Sequence, residues 1–189
     1  MENKKHIVIV GGGFAGLELV KELNRSGKYH ITLVDMNNYN FFPPLLYQLA
    51  AGFMEPSSIS YPFRRLLRKY KNARFRMASL QEVIPAENKL ILSNGELSYD
   101  ILVMATGAES NFFGNKEVEE KAMPMKTVGD ALMLRNLVYT RLERATRTQD
   151  KEQRRKLLSF AIAGAGPTGV ELSGIFAEMK QNIMRKDYP

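Results

Sequence analysis

The feature that most restricts this chain is a run near its start, HIVIVGGGFAG, followed by LELVKELNRSG and HITLVD. A β-branched stretch at 6–10 passes straight into glycines, and apolar residues then recur at helical spacing through Leu17, Val20 and Leu23. Gly11, Gly13 and Gly16 fill the spacing G-x-G-x-x-G. In a strand–turn–helix unit the first glycine permits the turn and the second lets a pyrophosphate approach the backbone. The third lets helix and strand pack closely. Gly27 is expected to end the helix. A second strand, 30–35, ends in Asp35, nineteen residues past Gly16, where a carboxylate would accept hydrogen bonds from a ribose diol. The glycines alone are a weak signal, but strand, turn, helix, strand and acid in this order point to a bound dinucleotide. Asp35 would repel a 2′-phosphate.

Composition narrows the field further. The 189 residues are 44% hydrophobic and 25% charged, which suits a globular α/β protein with a real core. There is no cysteine, so disulfides, thiolate metal sites and cysteine nucleophiles are excluded, and no metal is expected. The net charge of +7 raises nucleic acid and anionic membrane as partners. The basic residues concentrate in 64–76 and 147–156, without the alternating aromatics of a single-strand stacking platform. They read mainly as solvated helical faces, with membrane or anion contact as the lesser reading and no nucleic-acid partner expected. The N-terminus lacks a cleavage-site pattern, and no uncharged run approaches the roughly 18 residues of a spanning helix. The expected location is cytoplasmic, with any membrane contact peripheral.

Along the rest of the chain, NNYNFFPPLLYQLAAG is dense in aromatics, and Pro43 and Pro44 should break any helix. Residues 73–107 read as a β-meander with a hairpin turn at Asn94-Gly95, then a buried strand from Asp100 to Met104 ending in Ala105, Thr106 and Gly107. Thr127 and Asp130 have capping-box spacing, opening a helix with Ala131, Leu134, Val138, Leu142 and Ala145 on one face. LLSFAIAG then reads as a buried strand feeding a second glycine turn. There Gly164, Gly166 and Gly169 repeat the spacing of the first.

With both turns in view, VGGGFAGLELVKEL, NNYNFFPPLLYQLAAG, YDILVMATGAESNFFG and AGAGPTGVELSGIFAE resemble type II NADH dehydrogenases. These are FAD-containing NADH:quinone oxidoreductases of the respiratory chain, bound peripherally to the membrane. The resemblance implies a Rossmann-like FAD-binding domain of the two-dinucleotide-binding type over 1–115 and a helical connection over 116–157. The start of a second Rossmann-like, NAD(P)H-binding domain would occupy 158–189. It implies that Gly11, Gly13, Phe14, Ala15 and Gly16 meet the FAD pyrophosphate and Asp35 the adenosine ribose. Leu80 would present backbone to the adenine, and Ala105, Thr106 and Gly107 would form the later FAD turn. Pro43, Leu45 and Gln48 would lie near the isoalloxazine, although loop packing explains that apolar segment equally well. Gly164, Gly166, Pro167, Thr168 and Gly169 would meet the NADH pyrophosphate. Glu171 would face nicotinamide and flavin, or simply serve as a first-turn acid favoured by the helix dipole. The family chemistry belongs to the cofactor, so His6 and His30, at strand starts, are read as structural.

The family pattern continues beyond what these 189 residues hold. Twenty-four residues separate Gly11 from Asp35, and the same count from Gly164 reaches Tyr188, with no second strand between. The acid that would read the NADH ribose is therefore not among them. Quinone and membrane contacts are expected to come through a C-terminal part, and these residues alone are expected to be inactive. Two other readings stand beside this one. Ferredoxin or rubredoxin reductases share the double turn, and a nucleotide-binding module could act through self-association. Disulfide reductases carry a cysteine pair where this chain has Leu45, Leu46, Tyr47 and Gln48, and sulfide:quinone oxidoreductases also use cysteines.

Overall fold

A computed structural model describes residues 4–188. The strands in chain order are β1 (Lys5–Val10), β2 (Tyr29–Asp35), β3 (Tyr39–Phe41), β4 (Ser60–Pro62), β5 (Ala73–Met77), β6 (Leu80–Ile84), β7 (Lys89–Leu92), β8 (Gly95–Ser98) and β9 (Ile101–Met104). The main helices are α1 (Phe14–Ser26), α2 (Leu46–Ala50), α3 (Pro56–Ile59), α4 (Phe63–Leu67), α5 (Lys116–Lys121), α6 (Val128–Arg147), α7 (Lys151–Leu157) and α8 (Pro167–Met179). The chain divides into two compact units. One holds residues up to Phe41 with Ser60–Ala108, and the other Phe42–Ile59 with residues from Glu109 onward.

The first unit is built on a parallel sheet of order β5-β2-β1-β9. β1 is central, and both of its faces are buried. Ile7 and Ile9 join Val20, Ile31, Leu33, Phe63 and Leu67 in the cluster under α1 and α4. Val8 and Val10 join Val34, Leu90 and Leu92 in a second cluster. This is why β1 reads as a continuous apolar run rather than an alternating one. The second face is covered by an antiparallel meander, β6-β7-β8, so the layers are helix, sheet, sheet. The expected α/β class and parallel sheet are present.

Several details differ from the sequence reading. β5 pairs in parallel with β2, so the meander starts only at Leu80. The two residues of the β7–β8 turn are Ser93 and Asn94, and Gly95 opens β8 at φ +111°, one step later than expected. β9 is the outer strand beside β1, so Ile101 and Met104 are exposed rather than buried. α1 ends as expected, with Gly27 left-handed at φ 66°.

In the second unit α6 carries the expected cap. Thr127 Oγ1 accepts from the Asp130 N–H at 3.1 Å, and Asp130 Oδ2 accepts from the Thr127 N–H at 2.8 Å. Val128, Ala131, Leu134, Val138, Leu142 and Ala145 are buried along one face. Removing the cap with Thr127→Ala should cost about 1 kcal/mol. Thermal unfolding should then begin roughly 2–4 °C lower, with an unchanged fold by circular dichroism. Pro43 and Pro44 do not break a helix but start one. They occupy a 3-10 turn, Pro43–Leu45, that runs on into α2, since a proline at a helix start gives up no internal hydrogen bond. α2 buries Leu46, Leu49 and Ala50 and packs against α6.

The largest departure is at 159–163. It is not a buried strand but an exposed segment without regular secondary structure, and among the described residues no strand pairs with it. Phe160 and Ile162 are each 37% exposed. One side is supported by α6 and α8, with Arg141 5.5 Å over the Phe160 ring and Phe160 and Phe176 6.0 Å apart. Apolar composition makes a stretch fit for a sheet, but only a hydrogen-bonded neighbour makes it a strand.

Candidate dinucleotide sites

Because β1, β2, β5 and β9 are parallel, their carboxyl ends share one edge of the sheet. Gly11, Asp35, the residues from Ala78 to Leu80, and Ala105 all follow or end those strands. Strand order reverses beside β1, where β2 lies on one side and β9 on the other, and open α/β sheets bind ligands at such a crevice. There the chain passes so closely that a Cβ on Gly11 would stand 2.2 Å from the Ala105 carbonyl oxygen. Gly11 also has φ +105°, a conformation that side chains rarely adopt. A Cβ on Gly16 would stand 1.9 Å from the Gly11 oxygen, whereas Gly13 has open space in front of it. The three glycines thus do three different things: turn, opening and close packing.

Asp35 is partly engaged within the protein. Its Oδ2 accepts from the Gly12 N–H at 2.7 Å and its Oδ1 from the Asn37 N–H at 2.8 Å. Each oxygen has further lone-pair capacity for a ligand hydroxyl. The same carboxylate therefore fixes the glycine turn and is placed to accept from a sugar. Sequence reasoning missed two supports of this turn. The Asn40 side chain donates to the Gly12 carbonyl at 2.9 Å, and the Phe63 ring lies directly beneath Gly12. The asparagine-rich run after Asp35 is a signal for the first, but Phe63 is distant in sequence and gave none. Leu80 opens β6 and packs on the meander cluster. His6 shares a 2.8 Å hydrogen bond between its Nε2 and Thr32 Oγ1, consistent with a structural role.

The second unit repeats the turn. Gly164 has φ +112°, and a Cβ on Gly169 would stand 2.1 Å from the Gly164 oxygen, matching Gly11 and Gly16. Gly166 caps α8 at φ −72° and ψ 176°, as Gly13 caps α1 at φ −71° and ψ −164°. Neither cap provides a side-chain acceptor, whereas Asn115, Thr127 and Asp150 cap α5, α6 and α7 with theirs. Helices α1 and α8 both open on a glycine without a side-chain cap, and backbone N–H groups at a helix start suit an anion. A pyrophosphate fits both turns on this donor set and on the open space at Gly13 and Gly166. The difference lies behind the turn: Gly11 is backed by Ala105, while Gly164 has nothing within 4 Å of its Cβ position.

A cavity of about 750 Å³ in the second unit is lined by Gly164, Gly166, Pro167, Thr168 and Gly169 together with residues of 110–125. Phe113, at φ 52°, borders it from a tight turn with Gly114. Glu171 is exposed in the second turn of α8, whose first turn contains no acid, so the dipole explanation for it falls away. Pro43, Leu45 and Gln48 belong to the second unit. Pro43 is exposed, Leu45 and Gln48 are half-buried, and the Gln48 amide donates to the Tyr47 hydroxyl at 3.0 Å. The structure therefore brings Gly11, Gly13, Gly16, Asp35 and Ala105 to one sheet edge, and Gly164 to Gly169 to one turn.

Comparison with known proteins agrees with this geometry. The chain is 37% identical over 186 residues to the type II NADH:quinone oxidoreductase Ndh of Mycobacterium tuberculosis, covering 96% of this chain and 40% of that protein. The structure of NDH2 from Plasmodium falciparum in complex with NADH matches with a TM-score of 0.90 at 30% identity, over 98% of this chain and 39% of that one. NADH:rubredoxin oxidoreductase from Clostridium acetobutylicum, at 19% identity, shares the fold alone, with a TM-score of 0.69 over 93% of this chain and 42% of that one. The chain thus spans about 40% of the length of the first of these relatives. The family model for pyridine nucleotide-disulphide oxidoreductases matches residues 5–185, so with two glycine turns of one geometry the chain belongs to that family.

Proposed function

We propose that this chain carries the two dinucleotide sites of an FAD-dependent NADH:quinone oxidoreductase. The observation that carries the reading is the repeated turn: two helices open on glycines of matching conformation, both without a side-chain cap. Gly11, Gly13, Phe14, Ala15 and Gly16 hold the FAD pyrophosphate, Asp35 accepts from its ribose, Leu80 presents backbone to the adenine, and Ala105, Thr106 and Gly107 form the later FAD turn. Pro43, Leu45 and Gln48 border the isoalloxazine. Gly164, Gly166, Pro167, Thr168 and Gly169 hold the NADH pyrophosphate, and Glu171 faces the nicotinamide. In domain terms, 1–115 belongs to the FAD domain, 116–157 connects, and 158–189 opens the NADH domain. When bound, FAD supplies electron transfer between the nicotinamide and a quinone. The protein's part is to bind, orient and shield.

The whole protein would meet quinone and the cytoplasmic face of a membrane as a peripheral protein. Among the described residues, no helix is long and apolar enough to cross a membrane. The unpaired segment at 159–163 favours self-association of the 189 residues, because an open edge invites another strand. NADH titration of wild type and Gly169→Ala tests the site assignment. The variant should weaken NADH at least roughly tenfold and leave FAD binding unchanged, since its Cβ meets Gly164 of the second turn and the neighbouring Ile162 and nothing of the first. Equal NADH affinity in both would overturn the assignment. Turnover of NADH with a soluble quinone by the 189 residues alone should stay at background, and robust turnover would contradict the expected division of labour.

A further inference from the structure

Gly11, Gly12 and Gly13 stand in a row at the first turn, and only the outer two belong to the G-x-G-x-x-G spacing. The middle one has no room for a side chain, because a Cβ there would stand 2.2 Å from the Phe63 Cζ. That requirement has a conformational consequence. A peptide between two glycines can turn over at little steric cost, since the flip carries the second to a positive φ that glycine accepts. Gly13 stands at φ −71° and ψ −164°, and its peptide with Gly12 is trans. In a planar trans peptide C=O and N–H point in opposite directions, so the Gly12 carbonyl decides where the Gly13 N–H points.

Gly12 is held from three sides, all within the first unit. Its N–H donates to Asp35 Oδ2 at 2.7 Å, its carbonyl accepts from Asn40 Nδ2 at 2.9 Å, and the Phe63 ring fills its side-chain direction. The Gly11 N–H is also engaged, donating to the Val34 carbonyl at 2.8 Å. Among the described residues no hydrogen bond uses the Gly13 N–H, while the Gly13 carbonyl accepts from Leu17 at 3.0 Å. Asn40 is itself fixed from behind. It lies on β3, opposite Tyr61 of β4, and β4 runs directly into α4, where the Phe63 N–H donates to the Asn38 carbonyl at 3.0 Å. One β3–β4 ribbon thus supplies both the amide on the Gly12 carbonyl and the ring beneath Gly12.

The second turn provides an internal comparison. Ala165 stands where the first turn has Gly12, and among the described residues no side chain bonds to the backbone of 164–166. The lock on the carbonyl is therefore particular to the first turn. We infer that Asn40 is a positioning residue for the FAD diphosphate. By holding the Gly12 carbonyl on the β3 side, it keeps the Gly13 N–H turned the other way, toward the anion. Without that amide the Gly12–Gly13 peptide is free to turn over and set a carbonyl oxygen against the phosphate, replacing an attraction with a repulsion. The inference rests on the proposed reading of the first turn as the FAD pyrophosphate site.

FAD titration of the full 189-residue chain at about pH 8, followed by flavin anisotropy, tests this. Asn40→Leu keeps a similar volume but removes the donor. It should weaken FAD at least roughly tenfold, while the unfolding temperature without ligand falls by less than about 5 °C. Asn40→Asp has the same shape but sets an ionised acceptor against the carbonyl, and should weaken FAD roughly a hundredfold. Nuclear magnetic resonance of chain labelled at glycine supplies a readout that a merely structural role would not move. ADP should shift the Gly13 amide proton downfield in wild type, whereas saturating ADP should leave it near its ligand-free position in Asn40→Leu. Both Asn40 variants binding FAD like wild type, or wild type binding ADP without a Gly13 shift, would overturn the proposal and leave the site standing. A larger fall in unfolding temperature would make Asn40 a structural residue and overturn its positioning role. A wild-type chain that does not bind FAD, or a Gly11→Ala chain that binds it equally, would overturn the site and the proposal together.

Discussion

Replacing Gly11 with alanine is expected to abolish tight FAD binding and to destabilise the first unit by roughly 3–5 kcal/mol. Two independent effects add. At φ +105° a side chain is strained whatever the available space. The new methyl would also sit 2.2 Å from the Ala105 carbonyl oxygen and 3.0 Å from the Thr106 Cα, both backbone atoms that cannot rotate away. Relief requires β1 and β9 to separate at their carboxyl ends, where the cofactor is proposed to bind. Thermal unfolding should fall by about 10 °C, and FAD affinity by more than about a hundredfold, both measurable on the purified chain. An alanine variant with wild-type affinity would mean that the crevice between these strands is not the site.

The second large effect is expected from Phe63→Ala. Phe63 is 1% exposed, its ring centre lies 4.9 Å from that of Phe75, and it forms the floor beneath Gly12. Truncation should cost about 3–5 kcal/mol through lost burial and the cavity left behind. It should also loosen the glycine turn, so FAD affinity should fall although Phe63 lies on the protein side of the turn. The pair offers a sharper test than either residue alone. A Cβ on Gly12 would stand 2.2 Å from the Phe63 Cζ, so Gly12→Ala by itself should be strongly destabilising. With Phe63→Leu beside it, part of that cost should vanish, giving a non-additive cycle of about 1 kcal/mol or more. Strict additivity would show that the ring does not support the turn.

What could be read from the sequence was what local rules govern. The glycine spacing, the helix stop at Gly27, the Thr127–Asp130 cap and the buried stripe of α6 each depend on residues a turn or so apart. They appear in the structure where the chain implied them. The misjudged features depend on neighbours distant in the chain. Residues 73–77 alternate polar and apolar side chains, which suits a meander as well as a parallel edge, and only their pairing with β2 decides. β9 looks buried by composition but lies at a sheet margin. Segment 159–163 has the composition of a core strand and no partner among the described residues. Pro43 and Pro44 begin a helical turn where an interruption is expected, because proline interrupts a helix but also starts one well. At the site, the glycines were evident, while the Gly12–Asp35 bond, Asn40 and the Phe63 floor required the fold.

Titrating FAD into the 189-residue chain shows whether the first glycine turn and Asp35 hold the diphosphate and ribose of FAD. Fluorescence anisotropy of the flavin provides the readout. A saturable rise is expected, which ADP reverses by competition and adenosine, lacking the diphosphate, does not. Gly11→Ala should show no such rise. A rise that ADP leaves untouched, or that Gly11→Ala reproduces in full, would contradict it.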